Sequence, residues 1–478
     1  MEKTILRLDE IEKNVGLNID PMGFLFTYDG RIFRAIYNSE KANVLYLFES
    51  GAIEELNKTK LIPYTKISDI QLEGFDLVLE HERIKTVTYS TEWSFEMLKE
   101  AAGVIIEVNN ILFKYGYETK DAHNHNVVFD KYVPKYVDIG SFHKRKIKKY
   151  WECKDEFYRI FLYPLKIWSS GNSQFARKSI SDVADYLHRY EYTLYKYPFL
   201  RIIPSNVVTN ISYFLEVIRN LSKFDLDNIF IVKKPRLKRK ILKFIHKVSL
   251  MGLLPNNSVN LKRLTKMIKR IKRPHLITKW GEYHLKVNKD QLFEETGRFA
   301  LIIELLKKHN VKEVFEIGGN QGLLSIEIGK FIDKVICSDY DEVAVDIMFL
   351  NARNAKANIT PVLFDIMHPI YLSVPFADKL KPQIRFKSQA TLILAVSHHL
   401  LLGQKIPIDS IFQTITEYTK EFIFIEFMPN GIDKSPVPSW YTTDWFRESF
   451  QKYFELILEK PSEKDSNRIL FIGKLKRT

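Results

Sequence analysis

The residues best placed to do chemistry begin at Val314-Phe-Glu-Ile-Gly-Gly-Asn-Gln-Gly322, with Asp339 seventeen residues beyond the last glycine. The stretch reads as strand, tight glycine turn and helix start, and the next strand ends in the Asp339 carboxylate. Gly318 takes the turn, and Gly322 opens the helix without a side chain in the way. Backbone N–H groups at that helix start face a ligand with an anionic or polar edge. A carboxylate twenty-one residues after Gly318 reaches the two ribose hydroxyls of a nucleoside. Another carboxylate, Asp365, closes the apolar run Thr360-Pro-Val-Leu-Phe-Asp365. Further on, Thr391-Leu-Ile-Leu-Ala-Val-Ser397 leads into His398 and His399. An imidazole with an ordinary pKa of about 6.5 can take a proton from a hydroxyl. The competing reading is a His that caps the next helix or lies buried and hydrogen-bonded.

A second constellation is Lys120-Asp-Ala-His-Asn-His-Asn126, followed by Asp138-Ile-Gly140. A carboxylate, an Asn five residues later and an Asp-x-Gly twelve residues after that resemble the catalytic loop and metal motif of kinase-like phosphotransferases. The resemblance implies Asp121 as the base, with Asn126 and Asp138 holding Mg²⁺ on the phosphates of ATP. No Gly-x-Gly-x-x-Gly loop precedes it and no Val-Ala-Ile-Lys strand is visible, so phosphotransfer is expected to be weak or absent. Arg34 is the candidate for the phosphate-pairing cation. The bland reading of Asp121 and Asn126 is a loop held by side-chain-to-backbone hydrogen bonds. His123 and His125, without further ligands in sequence, read as loop residues rather than a metal pair.

From residue 291 onward the chain resembles the class I S-adenosylmethionine-dependent methyltransferases. Glu316, Gly318, Gly319, Asn320 and Gly322 match the family's acidic glycine turn. Asp339 matches the ribose carboxylate and Asp365 the residue near the adenine amino group. The resemblance implies S-adenosylmethionine as methyl donor, with Glu316 toward its amino group and His398 or His399 beside the transferred methyl. The wider arrangement resembles a family pairing a kinase-like N-terminal half with a methyltransferase. Tyr89-x-x-Glu92-Trp-Ser-Phe95, Asp138-Ile-Gly-Ser-Phe142 and Trp280-x-x-Tyr283 carry that likeness. It includes nodulation-associated proteins linked to methylating a sugar, which implies a saccharide or glycan acceptor. Three rivals stay open: a nucleotide-sugar or NAD-binding oxidoreductase, a bifunctional kinase/methyltransferase, and a non-catalytic nucleotide-binding scaffold.

These groups need elements to position them. Gly23–Tyr28 and Arg31–Tyr37 read as a hairpin turning at Asp29-Gly30. Residues 44–58 read as a helix, 75–80 as a strand and 94–115 as a long helix with one apolar side. The aromatic run 157–168 reads as the core of a helical lobe. After a helix over 290–310, strands at 314–318, 334–339, 360–365, 391–397 and 421–426 alternate with helices. A hairpin over 454–458 and 468–474 closes the order. That alternation predicts a parallel sheet with its ligand at the carboxyl ends of the strands. The expected architecture is an α/β Rossmann-like methyltransferase domain with a seven-stranded sheet, plus an N-terminal α+β protein-kinase-like domain. The expected boundaries are 1–225, a basic helical bridge over 226–290, and 291–478.

Composition narrows the class further. The 478 residues, 45% hydrophobic and 27% charged, suit globular domains large enough for separate cores. Two cysteines exclude a disulfide framework and fit a reducing, cytoplasmic setting. The N-terminus lacks the apolar run of a signal peptide, and no window has the length of a membrane span. From Ile231 to Lys279 there are 16 Lys or Arg and no acid, so a net charge of +14 less 16 leaves −2 elsewhere. The basic stretches 233–247 and 261–273 are amphipathic. They read as solvated helix faces, as contacts to an anionic inner membrane surface, or, last, as sites for nucleic acid or a polyanionic glycan.

Overall fold

The computed structural model describes residues 4–13, 20–146, 151–181, 186–202, 207, 260–278, 280–281, 293–294, 297–370, 381–431, 436–462 and 467–476. The basic stretch 233–247 and Tyr283 lie outside the described residues. The chain divides into two compact units. Unit 1 comprises 1–83, 98–128 and 135–274; unit 2 comprises 84–97, 129–134 and 275–478.

Unit 1 holds a five-stranded antiparallel sheet. Its strands are β1 (Glu12–Lys13), β2 (Gly23–Tyr28), β3 (Arg31–Ile36), β4 (Thr65–Ile67) and β5 (Leu77–His81), in the order β1-β2-β3-β5-β4. The β2–β3 hairpin turns at Asp29 and Gly30, both with positive φ, as a tight two-residue turn requires. The helix expected over 44–58 is two helices, α1 (Lys41–Glu49) and α2 (Ala52–Lys58). Gly51, at φ +85°, breaks the run between them. The long helix α3 (Phe95–Lys114) buries Leu98, Ala101, Ala102, Ile105, Ile106, Val108 and Leu112 on one side. Trp151, Phe157, Phe161 and Trp168 form a buried aromatic core, as the run around them predicts. In the basic region, α4 (Leu261–Arg270) is capped by Asn260, whose side chain accepts from Arg263 N at 2.9 Å. Leu264 and Ile268 are buried, which occupies the apolar face and leaves the Lys and Arg residues as a solvated outer face.

Unit 2 is built on a seven-stranded sheet. Its strands are β6 (Glu313–Ile317), β7 (Lys334–Asp339), β8 (Thr360–Leu363), β9 (Ser388–Ile393), β10 (Thr419–Phe427), β11 (Phe454–Pro461) and β12 (Ile469–Leu475). The order is β8-β7-β6-β9-β10-β12-β11. The first five run parallel, and β12 runs antiparallel to both its neighbours. This is a doubly wound, Rossmann-like sheet that changes direction beside β6 and opens its ligand crevice there. Helices α5 (Arg298–Lys308), α6 (Leu323–Ile328), α7 (Glu342–Ala355), α8 (Ile408–Tyr418) and α9 (Thr443–Tyr453) cover it. Phe315, Ile336, Ile393, Phe412, Ile423 and Phe471 are among its fully buried core residues.

Two boundaries differ from expectation in ways that shape the site. The helix expected from residue 290 starts at Arg298. The fourth strand ends at Ile393, not Ser397, because its partner Ile317 already leads into the Gly318 turn and offers no further ladder. Ala395, at φ +56°, then redirects the chain so that His398 and His399 begin a π-helical turn instead of extending the sheet.

Candidate functional site

Where β6 meets its turn, close packing requires the glycines. A side chain on Gly318 (φ +73°) would put its Cβ 2.3 Å from Val396, and on Gly319 2.3 Å from the Cys337 sulfur. On Gly322 (φ +75°) it would lie 2.8 Å from Met348. The N–H groups of Gly318 and Gly319 both donate to Ser338 O, at 2.8 and 2.9 Å. The turn is thereby tied to the end of β7, and α6 behind it is only six residues long.

That geometry opens a cavity of about 450 Å³, lined by Glu316, Gly318, Gly319, Asn320, Asp339, Asp365, His398 and His399. The structure thus brings these predicted residues together; Gly322, beneath the turn, is a packing residue at this site. Asp339 is buried, and its two oxygens accept from Asn320 N and Asp341 N, each at 2.9 Å. Burial pushes its pKa up to about 7, against the opposing pull of those backbone donors. Glu316 is also buried and accepts from Ser325 Oγ at 2.5 Å; burial raises its pKa as well. Asp365 is 38% exposed at its side chain. Its Oδ1 accepts from Met367 N and His368 N at 2.9 and 3.1 Å, so it caps its own turn while lining the cavity.

The two histidines stand with ring centroids 4.0 Å apart. His398 is 4% exposed, and its Nδ1 has no hydrogen-bond partner. Burial, then the neighbouring His399 and Arg468, push its pKa down to about 3. The ordinary value of about 6.5 expected from sequence therefore does not hold for His398, and it remains neutral at physiological pH.

Sequence reasoning missed Arg298 and Arg468, which line this cavity and converge on one carboxylate. Glu426, at the end of β10, is fully buried and accepts from Arg298 Nε and Nη2 at 2.9 and 2.5 Å. Arg468 approaches the same carboxylate at 3.7 Å. A carboxylate closing an apolar strand demands such a partner, and that demand is the sequence signal.

Unit 1 gathers its own constellation. Asn126 Nδ2 donates to Asp121 Oδ1 and, at 3.4 Å, to Asp138 Oδ2. Burial raises the pKa of both carboxyls. His123 Nε2 lies 3.2 Å from Glu156, and Asp121, His123 and Glu156 present ligand atoms within 4.8 Å of one another. Sequence did not place Glu156 beside His123; the fold does. His125 is buried, with its pKa lowered to about 4. Arg34 is buried and ion-paired with Asp20, beside Asp138.

No family model matches the chain. Nodulation protein NoeA of Rhizobium meliloti (strain 1021) is 22% identical over 430 residues, 86% of this chain and 83% of that protein. Among solved structures, magnesium protoporphyrin IX methyltransferase of Synechocystis PCC 6803 with bound SAM is 14% identical. The match covers 42% of this chain and 86% of that one at a TM-score of 0.30. N-methyltransferase NodS of Bradyrhizobium japonicum WM9 is 11% identical over 40% of this chain and all of its own, at 0.29. The chain is thus similar over most of its length to a nodulation protein, and its second unit is a Rossmann-like α/β sheet.

Proposed function

We propose that unit 2 is an S-adenosylmethionine-dependent methyltransferase acting on a hydroxyl oxygen. The observation that carries the reading is one cavity holding Glu316, the glycine turn, Asp339 and Asp365 beside His398 and His399. Bound there, S-adenosylmethionine supplies a methyl group made electrophilic by its sulfonium. Glu316 would hold the amino group of the donor, and Asp339 would accept from its ribose hydroxyls. The unusual acidity balance of Asp339 makes this pH-dependent, because only its ionised form offers acceptors alone. His399 would accept the acceptor's hydroxyl proton as the oxygen bonds to the methyl carbon and the carbon–sulfur bond breaks, its electron pair leaving on sulfur as the neutral thioether S-adenosylhomocysteine. His398, too weak a base at a pKa of about 3, stays neutral in the wall of the cavity.

The acceptor in this reading is a saccharide or glycan, a choice that rests on the resemblance to sugar-methylating, nodulation-associated proteins. Turnover of the donor with candidate glycans, followed by mass spectrometry, tests it; full turnover retained in both His398→Ala and His399→Ala would remove the histidines from the chemistry.

A second reading concerns unit 1, which we take to be kinase-like with weak or no phosphotransfer. Asp121, Asn126 and Asp138 meet at one point, as divalent-cation and ATP binding requires. Arg34 is tied to Asp20 and so is not a loose cation of the Val-Ala-Ile-Lys type for the phosphates. Incubation with Mg²⁺ and labelled ATP tests this; robust transfer abolished by Asp138→Ala would make the chain bifunctional. The cytoplasm is its proposed location. Peripheral attachment to an anionic membrane finds no support in α4, whose apolar face is occupied. No helix among the described residues is long and apolar enough to cross a membrane.

A further inference from the structure

Ahead of α5, Thr278, Trp280 and Gly281 lie against the glycine turn, outside the methyltransferase boundary expected at residue 291. Four side chains of the donor-binding strand ends hold them. Asn320 Nδ2 donates to Trp280 O at 2.8 Å, and Gln321 Nε2 to Gly281 O at 2.9 Å. Thr278 Oγ1 donates to Asp341 Oδ1 at 3.0 Å, and Trp280 Nε1 to Tyr340 Oη at 2.6 Å. The fit is close: a side chain on Gly281 would place its Cβ 2.6 Å from Val343. Trp280 lines the cavity and meets the His399 ring edge-to-face, with centroids 4.8 Å apart. One ring therefore touches Tyr340, next to the ribose carboxylate, and His399, next to the transferred methyl.

We propose that Trp280 is a positioning residue that couples donor binding to the orientation of His399. The proposal rests on the reading of this cavity as the methyl-donor site. Asn320 and Gln321 have a stated task in it: their amides hold the backbone of Trp280 and Gly281. An edge-to-face aromatic pair fixes a ring's orientation more than its burial alone does. A donor seated against Tyr340 and Trp280 therefore also sets the imidazole that takes the proton.

The test uses the full chain and S-adenosylhomocysteine, with calorimetry for affinity and ring NMR for His399, assigned by its loss in His399→Asn. In the wild type, the His399 resonances should shift on ligand addition. Trp280→Ala should weaken binding about tenfold and, at saturating ligand, abolish most of that shift. Trp280→Phe, which keeps a ring against His399, should restore the shift while binding about threefold weaker. Thr278→Val, which only loosens the segment, guards against misfolding of the alanine variant and should weaken binding by a similar few-fold factor. An unchanged affinity in Trp280→Ala and Thr278→Val, or a wild-type His399 shift persisting in Trp280→Ala, would overturn the proposal. A wild-type protein that does not bind S-adenosylhomocysteine would instead remove the donor-site reading on which it rests.

Discussion

Arg385 and Glu92, separated by 293 positions in sequence, form a bidentate ion pair with both side chains less than one-tenth exposed. Arg385 also donates to Val87 O at 2.6 Å and lies over the Tyr89 ring at 4.7 Å. Glu92 in turn accepts from Tyr89 N at 2.9 Å. The Tyr89-x-x-Glu92 motif is therefore part of the α/β unit, although it sits in the N-terminal half of the sequence.

Removing one partner leaves the other charge buried. Glu92→Ala should cost about 3–5 kcal/mol of unit 2 stability, and exchanging Glu92 and Arg385 together for apolar residues should cost much less. Urea unfolding of the single and double variants, with fluorescence as the probe, measures both.

Asp339 should make donor binding pH-dependent. Its pKa of about 7 means that lowering the pH through that value adds a proton and removes an acceptor for the ribose hydroxyls. Affinity should fall below about pH 7, and Asp339→Asn should flatten the profile. The same group acts on stability in the opposite direction. The unfolded chain releases this proton at about pH 3.9, so the native state holds an extra proton from there to about 7, and stability declines as pH rises across that window. Thermal melts of wild type and Asp339→Asn, compared over that range, check the sign.

The two histidines should separate kinetically. His399→Ala should lower turnover by about 10²–10⁴-fold, whereas His398→Asn should act mainly on acceptor affinity. His398 also affects stability: its pKa is depressed in the fold to about 3, so its contribution is lost as pH falls from about 6.5 toward 3. Melting curves of His398→Asn should show a shallower acid limb than the wild type.

In unit 1, Mg²⁺ should strengthen ATP binding through Asp138, and Asp138→Ala should abolish that effect. Calorimetry of ATP with and without Mg²⁺ gives the answer; equal binding in both conditions would count against a cation at this cluster.

Periodicity and glycine spacing made the unit 2 sheet legible, because parallel strands buried on both faces leave unbroken apolar runs with turn residues between them. Asp339 and the Gly318 turn were equally legible, since backbone geometry itself demands those residue types. The end of β9 was not. Leu394, Ala395 and Val396 are apolar and continue the strand pattern, but the turn at Ala395 is set by loss of the neighbouring ladder at Gly318. Contacts between distant segments were hidden for a different reason. Nothing local to Glu156, Arg298 or Arg385 marks the partner each one meets, and only the fold brings His123, Glu426 and Glu92 to them. Trp280 was visible as a motif residue, but its place beside His399 follows from the packing of Trp280 and Gly281 against the glycine turn.

The central claim is that this cavity binds S-adenosylmethionine through the glycine turn and Asp339. Calorimetric titration of the full chain with S-adenosylmethionine and, separately, with NAD tests it most directly. The account predicts saturable binding of S-adenosylmethionine, weakened at least about tenfold in Asp339→Ala by the loss of charge-assisted hydrogen bonds to the ribose, and no comparable binding of NAD. Equal affinities in wild type and Asp339→Ala, or a preference for NAD, would contradict it.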